Sequence, residues 1–427
     1  MSAELLISAM DTFKGIYQKH FETLPNGLLK QLSEECWQKF LQIGLPEKSW
    51  EDWQYADLSP MFENFFNAPT LILKKSNSNS KFTSTFQNKV LVENGKFKHA
   101  NVSADLKVCS ISKLNNIELN HFAQLIRTQM ANETNPFVLF NYTLLSEGVV
   151  VKIADHSEVS LQINSESDSS VFVSPFLLIE CGKNSNVGII FQEVRDQKAI
   201  AGINSVMLLN ASENSSVKIN TLQLDGGNGF HLTQMRYLLN RSANVSVQGV
   251  TAGAELLRSD ISANLVAEGA EFNCRILSVL KGFAQQHHFI RVNHTAKQGT
   301  STQLFKNILL DRSKVSVDGT VYVSREASQT NSEQLINNLF LSDDARSFTK
   351  PNLRILNNDV KCKHGATSGS LEKDNLFYLK SRGLSDEAAR QLIMKSFANE
   401  VLSYIQDPEL LSYISNSVLK NTLGLGK

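Results

Sequence analysis

Between residues 146 and 358 one small pattern keeps returning: a polar turn, an apolar residue, a spacer and a second apolar residue. It occurs at Val159–Ser160–Leu161, Val187–Gly188–Ile189, Val217–Lys218–Ile219, Val245–Ser246–Val247, Phe272–Asn273–Cys274 and Val315–Ser316–Val317. Each follows a short turn reading HSE, NSN, NSS, SAN, EGA or RSK, and the first positions are 28, 30, 28, 27 and 43 residues apart. Near-equal steps of this size mark a solenoid, in which each repeat buries its apolar face only against its neighbours. Alternation within the runs and the frequent turns make the repeats strands rather than helices. The pattern predicts a parallel β-helix, and its long last step predicts an inserted or doubled coil. A β-sandwich also has short strands, but not so regular a period.

The flanks are different. Residues 1 to 45 carry helical spacing at Leu28, Leu29, Leu32, Cys36, Trp37, Phe40 and Leu41, closed by Gly44 and stopped by Pro46. Trp50, Trp53 and Tyr55 follow, and aromatics so placed are expected to staple this region to the remainder of the chain. A Ser/Asn-rich surface loop is expected at 74–88 and a helix near Asn116–Asn132. Beyond the repeats an open β end needs a cover, and helices are the expected cap. One helix is expected over 372–382 with Gly383 after it. A second has Ser385 as N-cap and Asp386 and Glu387 in its first turn, and a third is restarted by Asp407–Pro408. The second carries an apolar stripe of Ala389, Leu392, Ile393, Phe397, Val401, Leu402 and Ile405, suited to packing on its own domain or to docking a partner. The division expected is a helical and mixed domain over 1–145, a β-helix core over 146–370 and a C-terminal helical domain over 371–427.

Charge excludes little but points away from nucleic acid and anionic membranes: Lys+Arg and Asp+Glu are 42 each. No apolar run approaches a membrane span, and the N-terminus lacks the basic start of a signal peptide, so a cytoplasmic location is expected. The five cysteines are scattered, with no C-x-x-C pair, which argues against a disulfide framework and a closed zinc site. There is no P-loop, no G-x-S-x-G and no H-E-x-x-H. The best chemical candidates are Cys362 and His364, two apart and so on one face of a strand, where thiolate and imidazole together suit a soft metal or a sulfur species. The competing reading is a small buried Cys beside a hydrogen-bonded His. His288 and His294, with Cys274, are weaker metal candidates, more readily structural.

The C-terminal half resembles the SufB/SufD family of the SUF iron–sulfur cluster assembly machinery. The resemblance is carried by Thr302–Lys306, Val317–Asp318–Gly319, Asn337–Ala345, Lys350–Pro351, the C-x-H-G-A-T motif at Cys362–Thr367, Leu376–Leu379 and Ser381–Gly383, and more weakly by Gly44–Tyr55. It implies a right-handed parallel β-helix flanked by helical domains at both ends. It implies a non-catalytic scaffold that pairs with a SufB subunit, docks the SufC ATPase through the C-terminal helices, and receives sulfur indirectly from a cysteine desulfurase. A transient cluster would be shared with SufB, with His364 facing that interface and Cys362 a weaker contributor. No cofactor is expected to stay bound to this chain, and reduced flavin is expected only at the level of the complex. On the second helix Leu392, Ile393, Phe397, Val401 and Ile405 are the expected SufC contacts. Within the family Leu379 stands where SufB-like chains carry Cys, which favours the SufD type; Lys363 replaces the usual small residue. The sequence leaves the oligomeric state of the isolated chain open, with a homodimer as one option.

Two other functions are open to the same sequence. A SufB-like role would make Cys274 a sulfur acceptor. A β-helix enzyme acting on polysaccharide would need a carboxylate cluster on one face, and Asp155, Glu213 and Glu271 are the turn acids, not expected to share one register.

Overall fold

The computed structural model describes residues 3–47, 49–59, 61–62, 81–167, 172–195, 201–224, 229–371 and 373–420. Of the Ser/Asn-rich loop expected at 74–88, residues 74–80 lie outside these residues; 81–87 are without regular structure and Asn88 opens a strand. The solenoid is present. Its walls are a ten-stranded and a nine-stranded sheet, and from Val149 onward successive strands fall alternately on the two. Pairing from coil to coil is parallel and in register.

That register turns the sequence repeat into continuous rows. One inward row of the ten-stranded sheet runs Val159, Val187, Val217, Val245, Phe272, Ser301, Ser332, Cys362. The next runs Leu161, Ile189, Ile219, Val247, Cys274, Gln303, Gln334, His364. The facing wall supplies Leu209, Tyr237, Ala263, Val292 and Val321, all buried. Each fully buried Val, Leu or Ile contributes about 1.5–3 kcal/mol, so the rows are the main source of stability.

The 43-residue step is not an inserted coil. Val315 belongs to the nine-stranded sheet, whereas the five earlier repeats lie on the ten-stranded one. The missing repeat is the strand Thr300–Leu309, whose two inward positions are Ser301 and Gln303. Coil length is unbroken; the interior there is polar, and a search for apolar pairs passes over it.

The turns stack as well. His156, Asn184, Asn214, Ser242, Gly269, Gln298 and Gln329, one per coil, have φ between 52° and 70°. A bend into the left-handed region at the same point of every coil accounts for the Asn that opens NSN and NSS and for the Gly inside EGA. The residue before each bend forms its own row: Asp155, Lys183, Glu213, Arg241, Glu268, Lys297. Charge alternates along all six. Lys183 and Arg241 both pair with Glu213. Asp155 and Glu213, expected in different registers, thus share a row but are separated by a lysine, so no carboxylate cluster forms.

The sheets begin before residue 146. The strand Asn88–Glu93 runs parallel to Glu158–Ser167, and Leu106–Ser110 closes the other sheet antiparallel to Val149–Ile153. Helices α1 (Ala3–Thr23), α2 (Leu28–Ile43), α3 (Asn116–Asn132) and α4 (Pro136–Tyr142) cover the outside of the nine-stranded sheet, burying Phe13, Phe40, Phe137 and Tyr142 against Phe230, Leu232, Phe176 and Leu208. Gly44 ends α2 at φ 77°, its N–H reaching the Phe40 carbonyl. Asn115 begins α3 with a reciprocal cap to Glu118.

The C-terminal helices α5 (Lys373–Ser381), α6 (Asp386–Leu402) and α7 (Pro408–Ile414) do not cap the solenoid end. They lie on the outer face of the ten-stranded sheet, with α6 against Glu271–Leu280 and Thr300–Leu309. The reason is in the outward positions of that sheet. Ile190, Leu222, Val250, Leu277, Val279 and Ile308 face out, and the helices bury them. The final strands Arg346–Ile355 and Val360–Ser370 therefore stand as the terminal members of the two sheets.

Candidate functional site

The open end is where the sequence candidates meet. His364 and Cys362 both occupy inward rows of the last coil, as expected for residues two apart on a strand. With no coil above it, His364 is exposed, and Cys362 is half-buried against Val321, Val323 and Leu353. Burial pushes the Cys362 thiol up from its usual range. Lys363 points outward and pairs with Glu333 at 3.0 Å, so the residue that departs from the family motif stays clear of the pair.

Beneath the two residues the core changes character. Ser332, under Cys362, is 2.8 Å from Ser301, which in turn is 2.9 Å from His294 Nε2. Gln334, under His364, donates from Nε2 to Gln303 Oε1 at 2.7 Å. Two rows further along, Asn307 donates to Asn338 at 2.8 Å and Asn338 to Ser368 at 2.9 Å. The Gln334 amide lies over Gly319 of the facing wall, where a Cβ would overlap it. That close approach explains the glycine of Val317–Asp318–Gly319. On the ten-stranded wall the last three coils thus carry hydrogen-bonded amides and hydroxyls, which must keep partners to be tolerated there, beside apolar Phe305, Ile336, Val317 and Val321.

The other histidines do not assemble a site. His288 and His294 both face the interior, but six residues of strand put them about 20 Å apart, too far to share one ion. Each is hydrogen-bonded, His288 to Ser278 at 2.8 Å and His294 to Ser301, and burial lowers both imidazoles to about 4. Cys274 is fully buried in the apolar core and its thiol is pushed up to about 12 by desolvation. The metal expectation for these three is not supported; among the described residues no group of three or more His, Cys, Asp or Glu is placed to hold an ion.

The expected docking stripe of α6 is divided. Val401 and Ile405 are buried against the chain's own sheet, Ile393 and Phe397 pack beside them, and only Leu392 is exposed, at 47%. Lys306 on the sheet is almost wholly covered, with Nζ 2.6 Å from Glu400 and 4.3 Å above the Phe397 ring. Arg275 lies 3.7 Å over Tyr404. Among the described residues of this region, the exposed large side chains are Phe377, Tyr378 and Leu392 on the helices and Tyr404 in the turn after α6.

At the other flank the aromatic segment is a strap, as its composition suggested. Trp53 stacks under Arg258 at 3.7 Å, Asp52 pairs with Arg291 at 2.7 Å, Glu51 pairs with Lys350, and Tyr55 stacks on Phe348 at 4.7 Å. It reaches the terminal strand of the nine-stranded sheet and so holds the last coil.

One polar group was missed by pattern reading. Glu193 and His231, both fully buried inside the solenoid, are 3.0 Å apart, and Thr233 also donates to Glu193. Glu193 shares an inward row with Gln223, Thr251, Ser278, Asn307, Asn338 and Ser368. The signal was a polar residue at the fourth inward position of each strand, beyond the apolar pair by which the repeat was recognised.

Comparison with known proteins agrees with this architecture. Residues 161–397 match the family model described as "SUF system FeS cluster assembly, SufBD core domain", and residues 8–164 match the SufBD N-terminal region. The iron–sulfur cluster assembly SufBD family protein slr0076 of Synechocystis is 29% identical over 85% of this chain and 84% of its own length. The chloroplastic protein ABCI7 of Arabidopsis thaliana is 31% identical over 57% of this chain and 51% of its own length. The iron–sulfur cluster assembly protein SufD of Escherichia coli is 28% identical over 47% of this chain and 48% of its own length. Among the described residues no helix is long and apolar enough to cross a membrane.

Proposed function

The chain belongs to the SufBD family of iron–sulfur cluster assembly proteins, and from that premise we propose that it is a non-catalytic scaffold subunit of the SufD type. The observation that carries this reading is the position of His364. It stands exposed on an inward row at an open solenoid end, where a second subunit's end would enclose it. An imidazole there is a nitrogen donor that would hold one iron of a cluster completed by a SufB partner, while leaving the cargo labile enough to pass on. Cys362 is the lesser contributor: its raised thiol must lose a proton before it can ligate.

The polar floor of Gln334 and Gln303 fixes the wall beneath His364 without adding charge. Docking of a SufC-type ATPase is assigned to the C-terminal helices, centred on Leu392 with Phe377 and Tyr378, because Val401 and Ile405 are already used internally. Such a partner would supply the ATP chemistry for which this chain has no P-loop. The sulfur-acceptor reading of Cys274 is disfavoured by its burial and its thiol near 12.

The test is anaerobic co-expression with SufB-type and SufC-type proteins and purification through a tag on this chain. Expected are both partners, with iron and sulfide present only when the SufB type is included, and loss of that iron with His364→Ala. Stoichiometric iron on the chain purified alone would overturn the shared-site reading.

A further inference from the structure

On the outer face of the nine-stranded sheet, parallel register sets Arg236, Ser262 and Arg291 side by side on three adjacent strands. With strands about 4.8 Å apart, the two arginine backbones stand about 10 Å apart with a short serine between them. Above this row lies a cleft of about 130 Å³. One wall is Thr134 and Asn135 at the end of α3, the other is Asp52 and Trp53 of the strap, and Arg258 and Asp260 line it as well. Its acids are already committed. Glu133 and Asp260 hold Arg236 at 2.8 and 2.9 Å, Asp260 also accepts from Asn135, and Asp52 pairs with Arg291. Arg258 is left over. It is only 4% exposed, yet it has the Asp52 carbonyl at 3.0 Å, the Trp53 ring, and an Asp260 oxygen no closer than 3.6 Å, while its Nε has no partner. Burial accordingly pulls the Arg258 guanidinium below its usual value, whereas Glu133 and Asp260 hold Arg236 above its own despite burial. Arg236 Nη2, Arg291 Nε and the Ser262 hydroxyl also lack a partner among the described residues. A buried cation so weakly paired is costly unless something else completes its shell.

We propose that this cleft binds a small oxyanion, a phosphate or carboxylate group, held over Ser262 by the guanidiniums of Arg236, Arg258 and Arg291. Planar guanidinium forks match such groups, and charge-assisted hydrogen bonds are the strong ones. A metal cation does not suit the cleft. Each of its carboxylates already faces an arginine, and among the described residues no group of three or more His, Cys, Asp or Glu is placed to hold one. Size narrows the class: the volume is that of roughly four waters, enough for one phosphate or carboxylate group and too little for a nucleotide. The position gives binding a consequence. The walls belong to α3 and the strap and the floor to the solenoid, so a bound oxyanion is shared between them and tightens the strap. The same strap grips Lys350 of the terminal strand through Glu51.

The test is calorimetric titration of the full chain in Tris chloride with sodium phosphate and, separately, with sodium acetate, against sodium chloride at matched ionic strength. Expected is saturable one-to-one binding of at least one oxyanion with a Kd of about 1 mM or tighter, and none with added chloride. Binding of phosphate alone assigns the cleft to phosphoryl groups, and binding of acetate alone assigns it to carboxylates. With the ligand present, amide exchange should slow at 50–54 and 129–135, the two walls. Two variants locate the site. Ser262→Leu, at a half-buried outward position that makes no hydrogen bond, fills the cleft and should weaken binding at least about tenfold. Arg291→Gln, whose side chain is 39% exposed, should weaken it about threefold to tenfold and decides the matter if the leucine variant fails to fold. Circular dichroism and melting without oxyanion establish that each variant is folded. Neither oxyanion binding saturably would overturn the proposal and leave the cleft to water. So would affinity unchanged in the folded variants, or exchange slowed only away from the two walls.

Discussion

Gln334 lies directly beneath His364 in the wall of the solenoid, and its amide is fixed by a 2.7 Å hydrogen bond to Gln303 one coil further down. The exposed imidazole therefore rests on a stack of side-chain amides rather than on hydrocarbon, and Gly319 across the core leaves the space that the stack needs.

That arrangement predicts a coupling between facing walls. Gly319→Ala should destabilise the chain by about 1–3 kcal/mol, because the added methyl meets the Gln334 amide. In Gly319→Ala combined with Gln334→Ala the cost should be clearly less than additive, since the clash is gone. Urea denaturation of the four proteins measures the cycle, and strict additivity would remove the claim.

His364→Ala should separate function from stability. The side chain is exposed, so unfolding should shift by no more than about 0.5 kcal/mol. Iron recovered with the complex should fall severalfold. Denaturation and iron analysis on the same preparation decide it; equal loss of both would make His364 structural.

The interior histidines give a pH dependence of known sign. Folding lowers His288 and His294 from the ordinary 6.5 to about 4. The unfolded chain thus binds more protons between those values, and stability present above pH 6.5 drains away as pH falls toward 4. At pH 5 each contributes on the order of 1–2 kcal/mol of loss. Stability of the parent chain and of His288→Gln between pH 7 and pH 5 tests this; the variant should show the shallower slope.

Thiol reactivity should follow burial. Cys362 and Cys109 are half-buried, whereas Cys36, Cys181 and Cys274 are enclosed, with Cys181 and Cys274 pushed up to about 12 by desolvation. Alkylation at pH 8 followed by peptide mapping should label the first two in the native state and the other three only after unfolding. Early labelling of Cys274 would reopen the sulfur-acceptor reading.

Lys306 should matter to one helix only. With Nζ held by Glu400 and Phe397, Lys306→Ala removes an anchor worth about 1–2 kcal/mol. Amide exchange in Asp386–Leu402 should accelerate by about tenfold while the strands of the solenoid stay protected. Uniform acceleration would mean that the helix and the solenoid open together.

The solenoid was legible because its first five coils repeat an apolar pair after a left-handed turn, and both halves of that signal are local. Helix ends at Gly44, Ser385 and Asp407 were legible for the same reason: capping is decided within four residues. What stayed hidden depended on contacts far apart in sequence. The strand at Ser301 and Gln303 was overlooked because its inward residues are polar, and those are satisfied only by Ser332, Gln334 and His294. The C-terminal helices were expected over the open end because an exposed edge demands a cover. The sheet's apolar outer face, at Ile190, Leu222, Val250 and Leu277, competed for them and won. Cys362 and His364 were read correctly as a same-face pair, but that His364 is exposed while Cys362 is half-buried follows from where the coil stops.

The row Asp155, Lys183, Glu213, Arg241, Glu268, Lys297 carries one more consequence. Each exposed pair adds little to stability. The row as a whole, however, has a parity. Excising the coil that bears Glu213 would set Lys183 against Arg241, and excising Lys183, Arg241 or Glu268 with its coil would likewise join like signs. Excising two neighbouring coils restores the alternation. A chain of this design keeps its charge alternation only when it lengthens or shortens by two coils at a time.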